Sequence, residues 1–94
     1  MITAADGRLR VEGPLTIDTI TAVLAESEPL FRAPETVVDL AAVSEVDSAG
    51  VSLLLQWQRS ARAAGRTITV VNVPANLKSL AELYGVAELI PGAA

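Results

Sequence analysis

Polar and apolar residues alternate along Arg8-Leu9-Arg10-Val11-Glu12, which predicts a half-buried strand with Leu9 and Val11 facing inward. Asp6-Gly7 just before it is a hairpin-turn dipeptide, so Met1 to Ala4 is expected to be the partner strand. Gly13-Pro14 is expected to end the second strand. From Thr16 the period becomes helical. Ile17, Ile20, Val23 and Leu24 fall on one face, with Thr16 as candidate N-cap, Asp18 in the first turn, and Pro29 near the end. Thr36-Val37-Val38-Asp39-Leu40 has the β-branched, centrally apolar character of a covered strand, and Ala41 to Val46 is expected to be a connection. Ala49 to Ala64 is the strongest helical pattern, with Gly50, Leu53, Leu54, Trp57, Ala61 and Ala64 on its apolar face. Arg59, Arg62 and Gln56 lie away from that face, and Gly65 is placed to terminate the helix. Thr67 to Val71 is a strand by β-branched content. Pro74 then opens a helix in which Leu77, Leu80, Ala81 and Tyr84 share a face, and Gly85 closes it. Val86 to Ile90 is a candidate last strand.

The predicted order is therefore β-β-α-β-α-β-α with a possible final short strand. This is an α/β fold with a mixed central sheet, an initial hairpin followed by parallel strands joined through right-handed crossovers. A length of 94 residues makes residues 1–94 a single domain by expectation. Only 3% of residues are aromatic, so the core must be built from Val, Leu, Ile and Ala. The formal net charge of −4 and seven scattered basic residues disfavour nucleic acid as a partner. No apolar run reaches the ~18 residues that a membrane span needs. The stretch Met1 to Asp6 lacks the basic and apolar regions of a signal peptide, so a cytoplasmic protein is expected, without direct membrane insertion.

Candidate chemistry centres on Val46-Asp47-Ser48-Ala49-Gly50, where a polar cluster separates two apolar runs. Ser48 as a helix N-cap, with Asp47 adding favourable charge, is one reading. Gly50 would then let the helix approach a neighbouring backbone. The other reading has the same serine presented at a sheet edge, where a partner can read or phosphorylate it. Catalysis is not expected. The chain has no His and no Cys, and Ser48 lacks the Gly-x-Ser-x-Gly frame of a nucleophile elbow. Asp39, Glu45 and Asp47 have no recognisable metal-ligand spacing, and Gly50 and Gly65 form no phosphate-binding loop. No metal and no cofactor are therefore expected. A nucleotide-binding module would need a stacking aromatic or a basic clamp near the motif, and neither is present. Val51 and Leu55 are read as lying on the flank of the long helix. There they either fill the edge of the core or, with Ser48, Ala49 and Ser52, form a docking face, which Leu83 and Tyr84 could extend, Tyr84 being otherwise a core ring with its hydroxyl at the surface.

The run Val37 to Val73, "VVDLAAVSEVDSAGVSLLLQWQRSARAAGRTITVVNV", resembles a STAS domain, a family named for sulfate transporters and anti-sigma factor antagonists. The likeness rests on the apolar strand ending in Asp39-Leu40, the signature from Val43 to Gly50, and helices ending at Gly65 and Gly85. It implies a non-catalytic interaction domain, with Asp47, Ser48, Ala49, Gly50, Val51, Ser52 and Leu55 as partner-binding residues. One branch is the small cytoplasmic subunit of the bacterial lipid-asymmetry (Mla) ABC transporter, which sits on the ATPase subunit and supports assembly and activity. The Leu80 to Pro91 segment resembles that branch. The other branch is the anti-sigma factor antagonists, in which the position of Ser48 is phosphorylated by a partner serine kinase. Antagonists typically carry two acids where this chain has Pro14 and Thr16, so the resemblance favours the transporter subunit, held near the inner membrane through its partner.

Overall fold

A computed structural model describes residues 2–5 and 8–85. Four strands form one sheet in the order β1-β2-β3-β4: β1 (Ile2–Ala5), β2 (Arg8–Leu15), β3 (Glu35–Val46) and β4 (Thr67–Val71). The first pair is antiparallel, and the β2–β3 and β3–β4 pairs are parallel. Three helices connect or follow the strands: α1 (Ile20–Ser27), extended by a 3₁₀ turn at Glu28–Leu30, then α2 (Ser48–Ala63) and α3 (Ala75–Leu83). This is the predicted α/β class with a mixed sheet. The Asp6-Gly7 turn and the candidate strand at Val86 to Ile90 lie outside the described residues.

Each parallel step moves to the next strand in the same direction. Right-handed crossovers therefore place α1 and α2 on the same face of the sheet. The burial pattern agrees. Leu9, Val11, Val38, Leu40, Ile68 and Val70 alternate inward and meet Val23, Leu53, Leu54, Trp57 and Leu77 from the helices. The opposite face carries Arg8, Arg10 and Glu12 on β2, Val37 and Asp39 on β3, and Thr69 and Val71 on β4, all exposed or half-buried. Gly65 ends α2 at φ +68°. The Arg66 N–H donates to the Ala61 carbonyl at 2.8 Å and the Gly65 N–H to the Arg62 carbonyl at 3.2 Å, a Schellman pair. Ala64 lies beyond the last buried turn and is exposed, contrary to its expected place on the apolar face.

Two expectations are corrected at the junctions. Gly13-Pro14 does not end β2, which runs on to Leu15, and Ala41 to Val46 is not a loop but the second half of β3. The two strands stay paired as far as Leu15 opposite Val46, absorbing register shifts between Arg10 and Glu12 and between Gly13 and Leu15. Gly13 takes φ +87° at the second shift. Pro14 falls in the gap, where a missing N–H costs the ladder little. Nor does α1 begin at Thr16. Thr16 to Thr19 form a turn in which the Thr16 carbonyl accepts from the N–H groups of Thr19 and Ile20, and Thr19 Oγ1 accepts from the Thr16 N–H at 3.0 Å. Ile17 therefore leaves the inward face and is 72% exposed.

On the helix-free face, Asp39 Oδ1 accepts from the Ala41 N–H at 2.9 Å and from Asn72 Nδ2 at 3.0 Å. These bonds, the backbone one first, with Arg8 and Arg10 adding a smaller attraction, hold its carboxyl below the ordinary aspartate range. A folded value lower than the unfolded one means that the stability it contributes is present above about pH 4. That stability is lost as pH falls through the lowered folded value. Asp39→Asn should thus lower stability at neutral pH, match wild type once the pH is below the lowered folded value, and so flatten the acid limb of the stability curve, as read by urea midpoints across pH.

Candidate functional site

The polar cluster lies where β3 hands over to α2, and its organiser is Asp47. In extended conformation (φ −136°, ψ −166°), Asp47 is the N-cap of α2, and its Oδ1 accepts from the Ala49 N–H at 2.8 Å. Its Oδ2 accepts from the Ile17 N–H at 3.0 Å, and its own N–H donates to the Leu15 carbonyl at 3.3 Å. One carboxylate thereby starts a helix and clamps the β2–α1 turn to it. The expectation that Ser48 is the cap is corrected: Ser48 is the first helical residue, and its side chain is released from that task.

The released hydroxyl meets α3. Ser48 Oγ and Tyr84 Oη lie 2.9 Å apart in a hydrogen bond at the surface, joining residues 36 positions apart. Gly50 makes the approach of α2 possible. A Cβ there would sit 3.2 Å from the Leu15 carbonyl oxygen and 3.4 Å from Leu77 Cδ1, so the close helix packing expected of this glycine is realised.

The structure separates the seven sequence-predicted residues. Ser48 and Ser52 are exposed, and Asp47, Ala49 and Leu55 are half-buried. Gly50 is buried, and Val51 is 4% exposed and belongs to the core; of its two readings the core one holds, and its place among the partner-binding residues is corrected. Ile17, Ile20, Asp47, Ser48, Ala49 and Ser52 line a shallow open groove. The apolar surface beside the serine comes instead from Ile17 and Tyr84, exposed by 72% and 51%, and Leu83, next to Tyr84 in the chain, is exposed by 76%. These three are the large hydrophobic residues most exposed to solvent among the described residues; Ile17 shares the groove with Ser48, and Tyr84 is bonded to its hydroxyl. Periodicity could not find Ile17, which it assigned to a helix. Leu83 and Tyr84 are read from their place at the helix end as a possible extension of the docking face, and both are exposed.

Among the described residues no group of three or more Asp or Glu side chains is placed to hold a metal ion. No helix among them is long and apolar enough to cross a membrane. The polar motif thus lies at the carboxyl end of a parallel strand with exposed Ile17 and Tyr84 beside it.

The family model described as "Mlab, STAS domain" matches residues 1–91, and the chain belongs to that family. The fold is shared with solved structures at low sequence identity. A putative anti-sigma factor antagonist from Thermotoga maritima superposes with a TM-score of 0.77 at 12% identity, covering 97% of this chain and 82% of that one. The anti-sigma factor antagonist SpoIIAA in its unphosphorylated form gives 0.65 at 16% identity, covering 88% and 81%. A sulfate transporter family protein from Wolinella succinogenes gives 0.64 at 20% identity, covering 88% and 69%. No curated protein sequence matches the chain significantly.

Proposed function

We propose that this chain is a non-catalytic docking domain: the cytoplasmic subunit that binds the ATPase of a phospholipid-transporting ABC complex and supports its assembly and activity. The observation that carries a docking role is the placement of exposed Ile17 and Tyr84 beside Ser48, whose hydroxyl is freed from capping and turned to the surface. The Mlab description of the matching family supports the transporter branch. In this reading Asp47 and Gly50 build the face from beneath, while Ser48, Ala49, Ser52 and Leu55 contribute to it directly.

A second reading, an anti-sigma factor antagonist phosphorylated on Ser48 by a serine kinase, has its own support. SpoIIAA has been solved in a phosphorylated form with the same fold, at a TM-score of 0.65 and 16% identity. Ser48 is exposed at a helix start that tolerates added anionic charge.

Affinity purification of the tagged protein from gently solubilised cells tests the two. Co-purification of an ABC ATPase with its permease supports the transporter reading, and recovery of a soluble serine kinase in its place overturns it. Ser48→Asp should weaken binding of the recovered partner at least about tenfold, equivalent to ~1.4 kcal/mol. It should leave the thermal midpoint nearly unchanged, because an acid at the first helical position suits the dipole. Normal binding by this variant would remove Ser48 from the interface.

A further inference from the structure

We propose that the partner surface has a cationic rim: an apolar pocket over Ser48 itself, where an added carboxylate would be stripped of water, bordered by Lys or Arg side chains on the ATPase assigned above. This inference rests on that docking reading and adds the chemistry of the partner.

Charge around the site is one-sided. Asp18 follows Ile17, whose N–H is held by Asp47, and it is exposed on the turn. Glu45 is exposed on β3 two residues before Asp47, roughly 7 Å along an extended strand. Asp47 itself directs both oxygens to backbone N–H groups, so Asp18 and Glu45 are the carboxylates left for a partner. Neither makes an ion pair within the described residues.

The seven basic residues lie elsewhere. Arg8 and Arg10 are on the helix-free face of the sheet. Arg59 and Arg62 are in the last turns of α2, and Arg66 is beyond it. Arg59 is eleven residues along α2 from Ser48, roughly 16 Å, about twice the screening length at physiological ionic strength. Arg32 follows the 3₁₀ turn and is tied to its Pro29 carbonyl, and Arg66 Nη1 donates to the neighbouring Phe31 carbonyl. Lys78 is six residues before Tyr84 on α3, about 120° around the helix from it.

The N-terminus of α2 supplies only about half a positive charge, against the three carboxylates of Asp18, Glu45 and Asp47. The local field is therefore negative and repels an anionic membrane or an acidic protein face. Ile17 and Tyr84 supply the apolar anchors. The Ser48–Tyr84 hydroxyl pair shares one hydrogen bond and so leaves one O–H free, which a covering surface must meet with an acceptor.

The test is the affinity of the purified chain for the purified ATPase subunit of the same organism's phospholipid-transporting complex, at about 50 mM and about 500 mM NaCl. Wild-type affinity is expected to fall about tenfold or more between the two. The Asp18→Asn/Glu45→Gln double variant should bind about tenfold more weakly than wild type at low salt and equal it at high salt. Ile17→Ala should weaken binding by a similar factor at both salts, because its contribution is apolar. If the double variant matches wild type at both salts while Ile17→Ala and Ser48→Asp still weaken binding, the cationic rim is wrong and the docking face stands. If none of the variants changes the affinity, both fall. If wild type does not bind the ATPase at either salt, the partner assignment fails and takes this inference with it.

Discussion

Replacing Trp57 with alanine should remove about 3–5 kcal/mol of stability, the range for emptying a large buried aromatic site. Trp57 is 2% exposed on α2 and closes the core at the end remote from Ser48. Its ring meets Phe31 edge-on, with centroids 5.5 Å apart and planes at 69°. Its Nε1–H donates at 2.8 Å to Ser27 Oγ, which is fully buried and donates in turn to the Leu24 carbonyl at 2.8 Å. A domain of this size is stable by about 5–15 kcal/mol, so the variant should leave a substantial unfolded population near physiological temperature. Trp57→Phe separates the two contributions. It keeps most of the ring and deletes the N–H, while the Ser27 hydroxyl keeps its bond to Leu24. Its cost should be nearer 1–1.5 kcal/mol plus a small packing loss. Urea midpoints followed by circular dichroism measure both variants, since Trp57 is the chain's single tryptophan and its fluorescence is lost with it. Equal midpoints for Trp57→Ala and wild type would mean that the core does not depend on this ring.

Local physics explains where the sequence was readable. Thr67 to Val71 is β-branched and forms the strand at the predicted bounds. The pattern ending at Gly65 yields α2 to within a residue at each end, because 3.6-residue periodicity and a left-handed terminator act within a single element. Gly13-Pro14 misleads for the opposite reason. As a local signal it reads as a stop, but pairing with β3 carries β2 through it by displacing the register. The same pairing turns Ala41 to Val46 into strand, against a sequence whose polar Ser44 and Glu45 suggest a loop. The site was legible as a motif and not as a surface. Asp47 and Ser48 stand out by type, yet their roles are set by partners 30 and 36 positions away, Ile17 and Tyr84. No periodicity encodes such contacts. The exchange of roles, with Asp47 capping and Ser48 presented, follows from the sheet delivering the β2–α1 turn to the aspartate, which leaves the serine free.

That exchange makes Asp47 the residue whose loss should couple fold and docking. Asp47→Ala should cost about 2–3 kcal/mol. Loss of the cap on α2 contributes about 1–2 kcal/mol, and the Ile17 N–H left without its acceptor adds about 1 kcal/mol. Asp47→Asn distinguishes the two. An amide oxygen can keep the cap to Ala49, but its NH₂ group then faces the Ile17 N–H, donor against donor. The amide variant should therefore retain α2 and lose only about 1–1.5 kcal/mol, while releasing the turn that carries Ile17 and Asp18. Hydrogen exchange is the discriminating measurement. In Asp47→Asn the Ile17 amide should lose protection while the first turn of α2 keeps it, and in Asp47→Ala both should lose it. Unchanged protection at Ile17 in both variants would mean that the clamp does not hold the turn. In that case Ile17 would reach the Ser48 face by some route other than Asp47. If the clamp does hold, Asp47→Asn should weaken partner binding with Ser48, Tyr84 and the helix start all intact, because the anchor at Ile17 is presented only while the aspartate grips its backbone.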